Sequence, residues 1–187
     1  MISINEFKSG LTICVEGRVY LVLEFQHVKP GKGAAFIRVK LRDLKANTVI
    51  EKTFRGEEKI EEAYIDERKL QYTYHSGPTY HFMDQENYEE VSFSEETLGN
   101  AVHFLQDNLE VTAFFYKGEI LNVNLPNFIQ VKVIHTEPGV KGDTAKGSLK
   151  PAEIETGYTI QVPLFIEIDD LIKVDTRTGS YIERVYA

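Results

Sequence analysis

The chain has 187 residues, 42% of them hydrophobic, with 10 Tyr, 11 Phe and no Trp, and carries a net charge of −8. That is enough for one to three small domains with buried cores, and no apolar run approaches the roughly 20 residues of a membrane span. The start, Met1-Ile2-Ser3-Ile4-Asn5-Glu6, lacks the charged-then-apolar order of a signal segment. A cytoplasmic protein without membrane contact is expected. The single cysteine, Cys14, cannot form an internal disulfide, and its place in the apolar run Leu11 to Val15 reads as a small core residue.

The charge is unevenly spread. Residues 1 to 55 hold ten Lys/Arg against five Asp/Glu, a balance of +5, whereas residues 65 to 127 hold three against eleven, a balance of −8. A basic end on an acidic chain is a polarity that RNA docking at that end could use. Solvated faces of separate lobes would produce the same distribution.

Residues 1–64 read as a small all-β unit. A short strand near Leu11 to Val15 is followed by Arg18 to Val28 and Ala34 to Leu44, two strand-like runs around Lys29-Pro30-Gly31-Lys32-Gly33. In the second run Ile37, Val39 and Leu41 fall on one face and Arg38, Lys40 and Arg42 on the other. Pro30 and Gly31 suit the central positions of a type II turn, with Gly31 at positive φ. Lys32 then projects from the end of a ribbon, either as an ordinary solvated turn residue or as a side chain on display. A Walker loop is excluded, because Gly33-Ala34 follow Lys32 in place of Ser or Thr. With Val49 to Phe54, some five short strands suggest an SH3-like barrel. Glu57 to Glu62 reads as a charged linker.

In the second unit, 65–127, Leu70 to His75 and Thr79 to Met83 flank a Ser76-Gly77-Pro78 turn. Ser94 reads as an N-cap with Glu95 and Glu96 in the first turn. Leu98, Ala101, Val102 and Leu105 recur at helical spacing, predicting a helix from Ser94 to about Asn108. Val111 to Tyr116 and Ile120 to Leu125 form a hairpin. In the third unit, 128–187, strands are expected at Phe128 to Thr136, Tyr158 to Ile168 and Leu171 to Val174, before a last hairpin across Thr176 to Gly179. Five-stranded OB-type barrels fit both units. The three units, each near the lower limit of independent stability, are expected to pack against one another.

Chemistry-bearing patterns are sparse. The five histidines, 27, 75, 81, 103 and 135, have no zinc spacing, and no Gly-x-Ser-x-Gly occurs. The adjacent acidic pairs Asp169-Asp170 and Glu89-Glu90 point to opposite faces of a strand. No catalytic group, metal or cofactor is expected.

His27-Val28-Lys29-Pro30-Gly31-Lys32-Gly33-Ala34-Ala35-Phe36 and Glu51-Lys52-Thr53-Phe54 closely resemble the first domain of the bacterial elongation factor P family. So, in the third unit, do Glu137-Pro138-Gly139-Val140-Lys141-Gly142-Asp143-Thr144-Ala145, Lys150-Pro151-Ala152, Glu155-Thr156-Gly157, Val162-Pro163-Leu164-Phe165 and Tyr181-Ile182-Glu183-Arg184. The resemblance implies a mainly all-β, L-shaped, tRNA-like arrangement of three β-barrel domains: an SH3-like (KOW-like) domain and two OB folds. It implies a monomer that binds the ribosome between the peptidyl and exit tRNA sites and relieves stalling at consecutive prolines. Lys32 matches the family's tip lysine, extended by modifying enzymes. Gly142, Asp143, Thr144 and Ala145 match a loop near the exit-site codon, and Tyr181 and Arg184 match residues on the anticodon stem of the peptidyl-tRNA. Arg38, Lys40 and Arg42 are expected on RNA phosphates. Relatives with lysine at this place carry lysine-derived or aminopentanol-type groups, and the Bacillus-like tip points to the latter on Lys32.

Two departures stand out: Lys146-Gly147-Ser148-Leu149 where relatives have adjacent glycines, and Asp169-Asp170 where a glycine is common, expected to alter only a turn. A biotinyl or lipoyl carrier domain also presents a modified lysine on a hairpin, but flanked by Met or by Asp and Ala. A generic RNA-binding module is the other alternative.

Overall fold

Alternation of apolar and charged residues builds the first sheet. The computed structural model describes residues 1–31, 33–139 and 148–186. Strands β1 (Thr12–Val15), β2 (Arg18–Val28), β3 (Phe36–Asp43), β4 (Val49–Arg55) and β5 (Glu61–Glu62) form one antiparallel sheet, ordered β4-β3-β2-β1-β5. Its core holds Ile13, Val22, Ile37, Val39, Leu41 and Phe54, with Phe7 against Phe54. The charged segment 57–62 is no free linker. Ile60 is buried and bridges to Ile2, and Glu61 and Glu62 pair with β1 as an edge strand, because one apolar side chain among the glutamates suffices to seat the segment on the core. Cys14 is half-buried rather than in the core; its neighbour Ile13 takes the inward position.

The second sheet runs β10-β9-β6-β7-β8, from β6 (Asp66–Ser76), β7 (Thr79–Asp84), β8 (Glu90–Ser94), β9 (Glu110–Tyr116) and β10 (Glu119–Asn124). The third runs β13-β12-β11-β14-β15, from β11 (Phe128–Thr136), β12 (Leu149–Ile154), β13 (Thr159–Pro163), β14 (Leu171–Asp175) and β15 (Ser180–Arg184). The run expected as one strand to Ile168 ends at Pro163, where the chain turns and buries Ile166. By contacts the chain forms two compact units: 1–67 with 113–122, and 68–112 with 123–187.

The long helix expected from Ser94 is one α-turn, α1 (Glu95–Leu98), continued as a 3-10 helix over Gly99–Phe104. Ser94 does cap it, its Oγ accepting from the Thr97 N–H at 3.2 Å. Gly99 at φ +54° then breaks the α geometry, and Leu105 is already extended. The apolar residues that mimicked one helical stripe serve another purpose. Phe104 enters the core of the third sheet beside Ile129, Val131, Ile160 and Val174. There it meets Tyr158 edge-on at 5.5 Å, while His103 stacks on the same ring at 4.3 Å. The Thr156 hydroxyl donates to the His103 carbonyl at 2.7 Å.

Each sheet contains one turn built to the same plan. Buried Asp43, Asp84 and Asp175 each accept, through Oδ1, the N–H two residues on (Lys45, Glu86, Arg177) at 2.8–2.9 Å. Each aspartate's carbonyl accepts the N–H four residues on, from Asn47, Tyr88 and Gly179, which sit at φ +54°, +63° and +69°. These are aspartate-stabilised turns closing in a left-handed residue.

Candidate nucleic-acid interface

Register decides which side chains the first hairpin shows. Arg38, Lys40 and Arg42 oppose Gln26, Glu24 and Leu21 on β2, and Thr53, Glu51 and Val49 on β4. All three are exposed while Ile37, Val39 and Leu41 are fully buried, as the alternation predicts. The same pairing brings carboxylates onto the basic face. Arg38 Nε lies 3.2 Å from Glu51 and Lys40 Nζ 4.0 Å from Glu24. Arg42, facing Leu21 and Val49, has no carboxylate within ion-pair distance among the described residues. It is the cation of the three that needs no displacement to meet a phosphate.

Beyond this face Lys29, Pro30, Gly31 and Gly33 are exposed, and Lys32 lies outside the described residues. The positive φ expected at Gly31 falls instead at Gly33, at +122°. The turn therefore differs from the type II form, because the left-handed step is taken after the lysine position rather than before it.

In the third sheet a bulge sets the geometry. Val174 faces Tyr181 and Lys173 faces Glu183, which leaves Ile182 as the extra residue. Tyr181 and Arg184, three apart and so on opposite faces of a regular strand, thereby both fall on the side of Val174 and Ile172. The Tyr181 phenol pKa is raised, chiefly by burial, with the Arg184 backbone acting in the opposite direction. Arg184 is held by Asp170 at 3.0 Å and lies over the Tyr186 ring at 5.4 Å. Asp169 adopts φ +73° and pairs with Lys132 at 2.7 Å. The departure Asp169-Asp170 is thus accommodated within a turn, where aspartate tolerates the left-handed region.

Gly142, Asp143, Thr144 and Ala145, with Lys146 and Gly147, lie outside the described residues. Both approaches to them carry features that the sequence did not signal. A Cβ at Gly139 would stand 2.6 Å from the Leu164 carbonyl oxygen. The buried Lys150 donates to the Glu137 carbonyl at 2.6 Å. Neither follows from local pattern, since each depends on a partner distant in the chain; a buried lysine in Lys150-Pro151-Ala152 leaves no periodic trace.

Among the described residues no three His, Cys, Asp or Glu side chains form a group that could hold a metal ion, and no helix is long and apolar enough to cross a membrane.

Family models match nearly the whole chain: the elongation factor P KOW-like domain over residues 3–60, the elongation factor P OB domain over 65–123, and the elongation factor P C-terminal domain over 129–184. An elongation factor P from Pelotomaculum thermopropionicum is 53% identical over 99% of this chain and 100% of its own length. Another from Moorella thermoacetica is 52% identical over 98% and 100%. Among solved structures, a translation initiation factor 5A from Methanococcus jannaschii superposes with a TM-score of 0.52 at 24% identity, over 65% of this chain and 92% of that one, a likeness of fold.

Proposed function

We propose, from the premise that this chain belongs to the elongation factor P family and is a translation elongation factor, that it binds the ribosome between the peptidyl and exit tRNA sites and relieves stalling at consecutive prolines. The observation that carries the reading is a hairpin with Lys29, Pro30, Gly31 and Gly33 exposed at its end and Arg38, Lys40 and Arg42 on its outward face. Lys32, extended by a modifying enzyme with an aminopentanol-type group, reaches toward the peptidyl transferase centre and holds the CCA end of the peptidyl-tRNA. Proline is a poor acceptor and a rigid donor, so the gain is one of orientation: the reacting groups are held in geometry before the ribosome forms the bond. The chain itself forms no covalent intermediate.

Arg38, Lys40 and Arg42 supply sequence-independent phosphate contacts. Tyr181 and Arg184, brought together by the bulge, meet the anticodon stem, and the Gly142–Ala145 segment meets the exit-site codon. The functional division follows residues 1–64, 65–127 and 128–187, in a cytoplasmic monomer.

The test is full-length product yield in a reconstituted bacterial translation system, with a consecutive-proline reporter and a proline-free control. Protein purified from its native host rescues the proline reporter alone, and Lys32→Ala does not. Equal yields with and without the folded, modified protein would refute the reading. Intact mass separates the carrier-domain alternative by the composition of any adduct on Lys32.

A further inference from the structure

The turn between β9 and β10 is two residues long, and both sit at positive φ, Lys117 at +50° and Gly118 at +83°. A tight hairpin turn of this form favours Asn-Gly, because asparagine enters the left-handed region at less cost than lysine does. Burial does not keep Lys117 there, since its side chain is exposed. Its ammonium donates to Glu61 Oε1 at 2.9 Å, and the Tyr116 hydroxyl donates to the same oxygen at 3.1 Å. Lys117 Nζ also lies 5.0 Å from the centre of the Tyr116 ring. Each charge holds the other: the Lys117 pKa is raised, chiefly by its hydrogen bond to Glu61, and that of Glu61 is lowered, chiefly by the same bond. Side-chain exposures of 66% and 47% make the pair a weak source of stability. What it does is join two elements. Glu61 faces Cys14 in the pairing of β5 with β1, and residues 113–122 of the β9–β10 hairpin, though hydrogen-bonded within the second sheet, pack in one compact unit with residues 1–67.

We infer that Glu61, Tyr116 and Lys117 form a latch that fixes the tilt of the first sheet on the β9–β10 hairpin, which makes them positioning residues for the tip. Cys14 pairs with Val19, so the latch stands at the root of β2, whose other end is Val28. At about 3.3 Å per residue, the strand from Val19 to Val28 spans about 30 Å. A tilt of about 2° at the root moves the far end by about 1 Å, and a misplacement of that size costs an orientation-dependent reaction up to about 100-fold. A contact too weak to register in stability therefore registers in activity. The inference rests on the reading above, in which the tip holds the peptidyl-tRNA end in a reactive geometry.

Lys117→Asn gives the turn its preferred Asn-Gly pair and removes the reach to Glu61, so its thermal midpoint is expected to equal or exceed that of the parent. Glu61→Gln keeps the size of the acceptor and removes its charge. Each variant is made in the native host, its Lys32 adduct is verified by intact mass, and translation of the consecutive-proline reporter is titrated with it. Both are expected to lower maximal rescue about two- to tenfold while the half-saturating concentration stays within about twofold of the parent's, the split that separates lost positioning from lost docking. Exchanging the charges, Glu61→Lys with Lys117→Glu, is expected to recover most of the rescue that Glu61→Lys alone loses. Parental maximal rescue in both single variants, a shift in half-saturation alone, or no recovery in the exchanged pair would overturn the inference. A parent protein that rescues nothing would instead overturn the reading beneath it, and the inference with it.

Discussion

The ion pairs on the basic hairpin predict an inverted order of mutational effects. If formal charge alone governed docking, Arg38→Gln, Lys40→Gln and Arg42→Gln would weaken ribosome binding alike. In the structure Arg38 is committed to Glu51 at 3.2 Å and Lys40 stands 4.0 Å from Glu24, with Arg38 and Glu51 both more than half exposed. Exposed pairs of this kind are worth about 0.2–1 kcal/mol, so Arg38 must surrender roughly that much to reach a phosphate, about a 1.4- to 5-fold discount in affinity. Arg42 surrenders nothing. Arg42→Gln should therefore cost the most, and should lower the slope of log affinity against log salt by about 0.7–0.9, the value of one lost phosphate contact. Glu51→Gln should strengthen binding by up to about fivefold by releasing Arg38. The assay is ribosome co-sedimentation from roughly 50 to 200 mM salt, the range over which phosphate contacts dominate. An unchanged slope in Arg42→Gln, together with weaker binding in Glu51→Gln, would refute the reasoning and place the phosphates elsewhere.

Three further outcomes follow from the packing. Phe104→Ala empties a buried site in the third core and should cost about 3–5 kcal/mol, a fall of roughly 10–20 °C in the midpoint of the 68–112 and 123–187 unit; hydrogen exchange should quicken in β11 to β15, and a local effect confined to residues 99–106 would count against a shared core. Gly139→Ala forces a Cβ onto the Leu164 carbonyl; it should destabilise by about 1–3 kcal/mol and reduce rescue of the proline reporter more than an exposed control such as Gly56→Ala, where a Cβ meets nothing nearer than 3.6 Å. The Asp175 carboxyl is held below its ordinary range, chiefly by the Arg177 side chain and also by backbone N–H donors. Its pKa is lowered on folding, so its contribution is present above the ordinary carboxylate pKa near 3.9 and is lost as pH falls. The gap in thermal midpoint between parent and Asp175→Asn should be open at pH 7 and close in acid, and a gap independent of pH would contradict the assignment.

What the sequence made legible was alternation, and what it concealed was pairing. Ile37, Val39 and Leu41 against Arg38, Lys40 and Arg42 is a period-2 pattern that needs no tertiary information, and the structure reproduces it residue by residue. The same kind of reading failed at Leu98, Ala101, Val102 and Leu105, because an apolar spacing of three and four serves equally for one helix face and for a short 3-10 segment that hands Phe104 to another sheet. Gly99 was the residue that could have warned of it. The linker at 57–62 was misread for a related reason: Ile60 among four glutamates is a weak local signal, and only β1 and Ile2 make it a strand position.

The repeated turn belongs between these extremes. Asp43-Leu44-Lys45-Ala46-Asn47, Asp84-Gln85-Glu86-Asn87-Tyr88 and Asp175-Thr176-Arg177-Thr178-Gly179 share only a first aspartate. Yet a buried carboxylate, its acceptance of the N–H two residues on and a left-handed fifth residue coincide in all three. A sequence scan sees five-residue segments with one residue in common. Once the backbone is fixed, the comparison becomes a controlled one, with geometry constant and only the fifth side chain varied. Asparagine and glycine then mark what the turn itself requires, and the tyrosine marks what it does not.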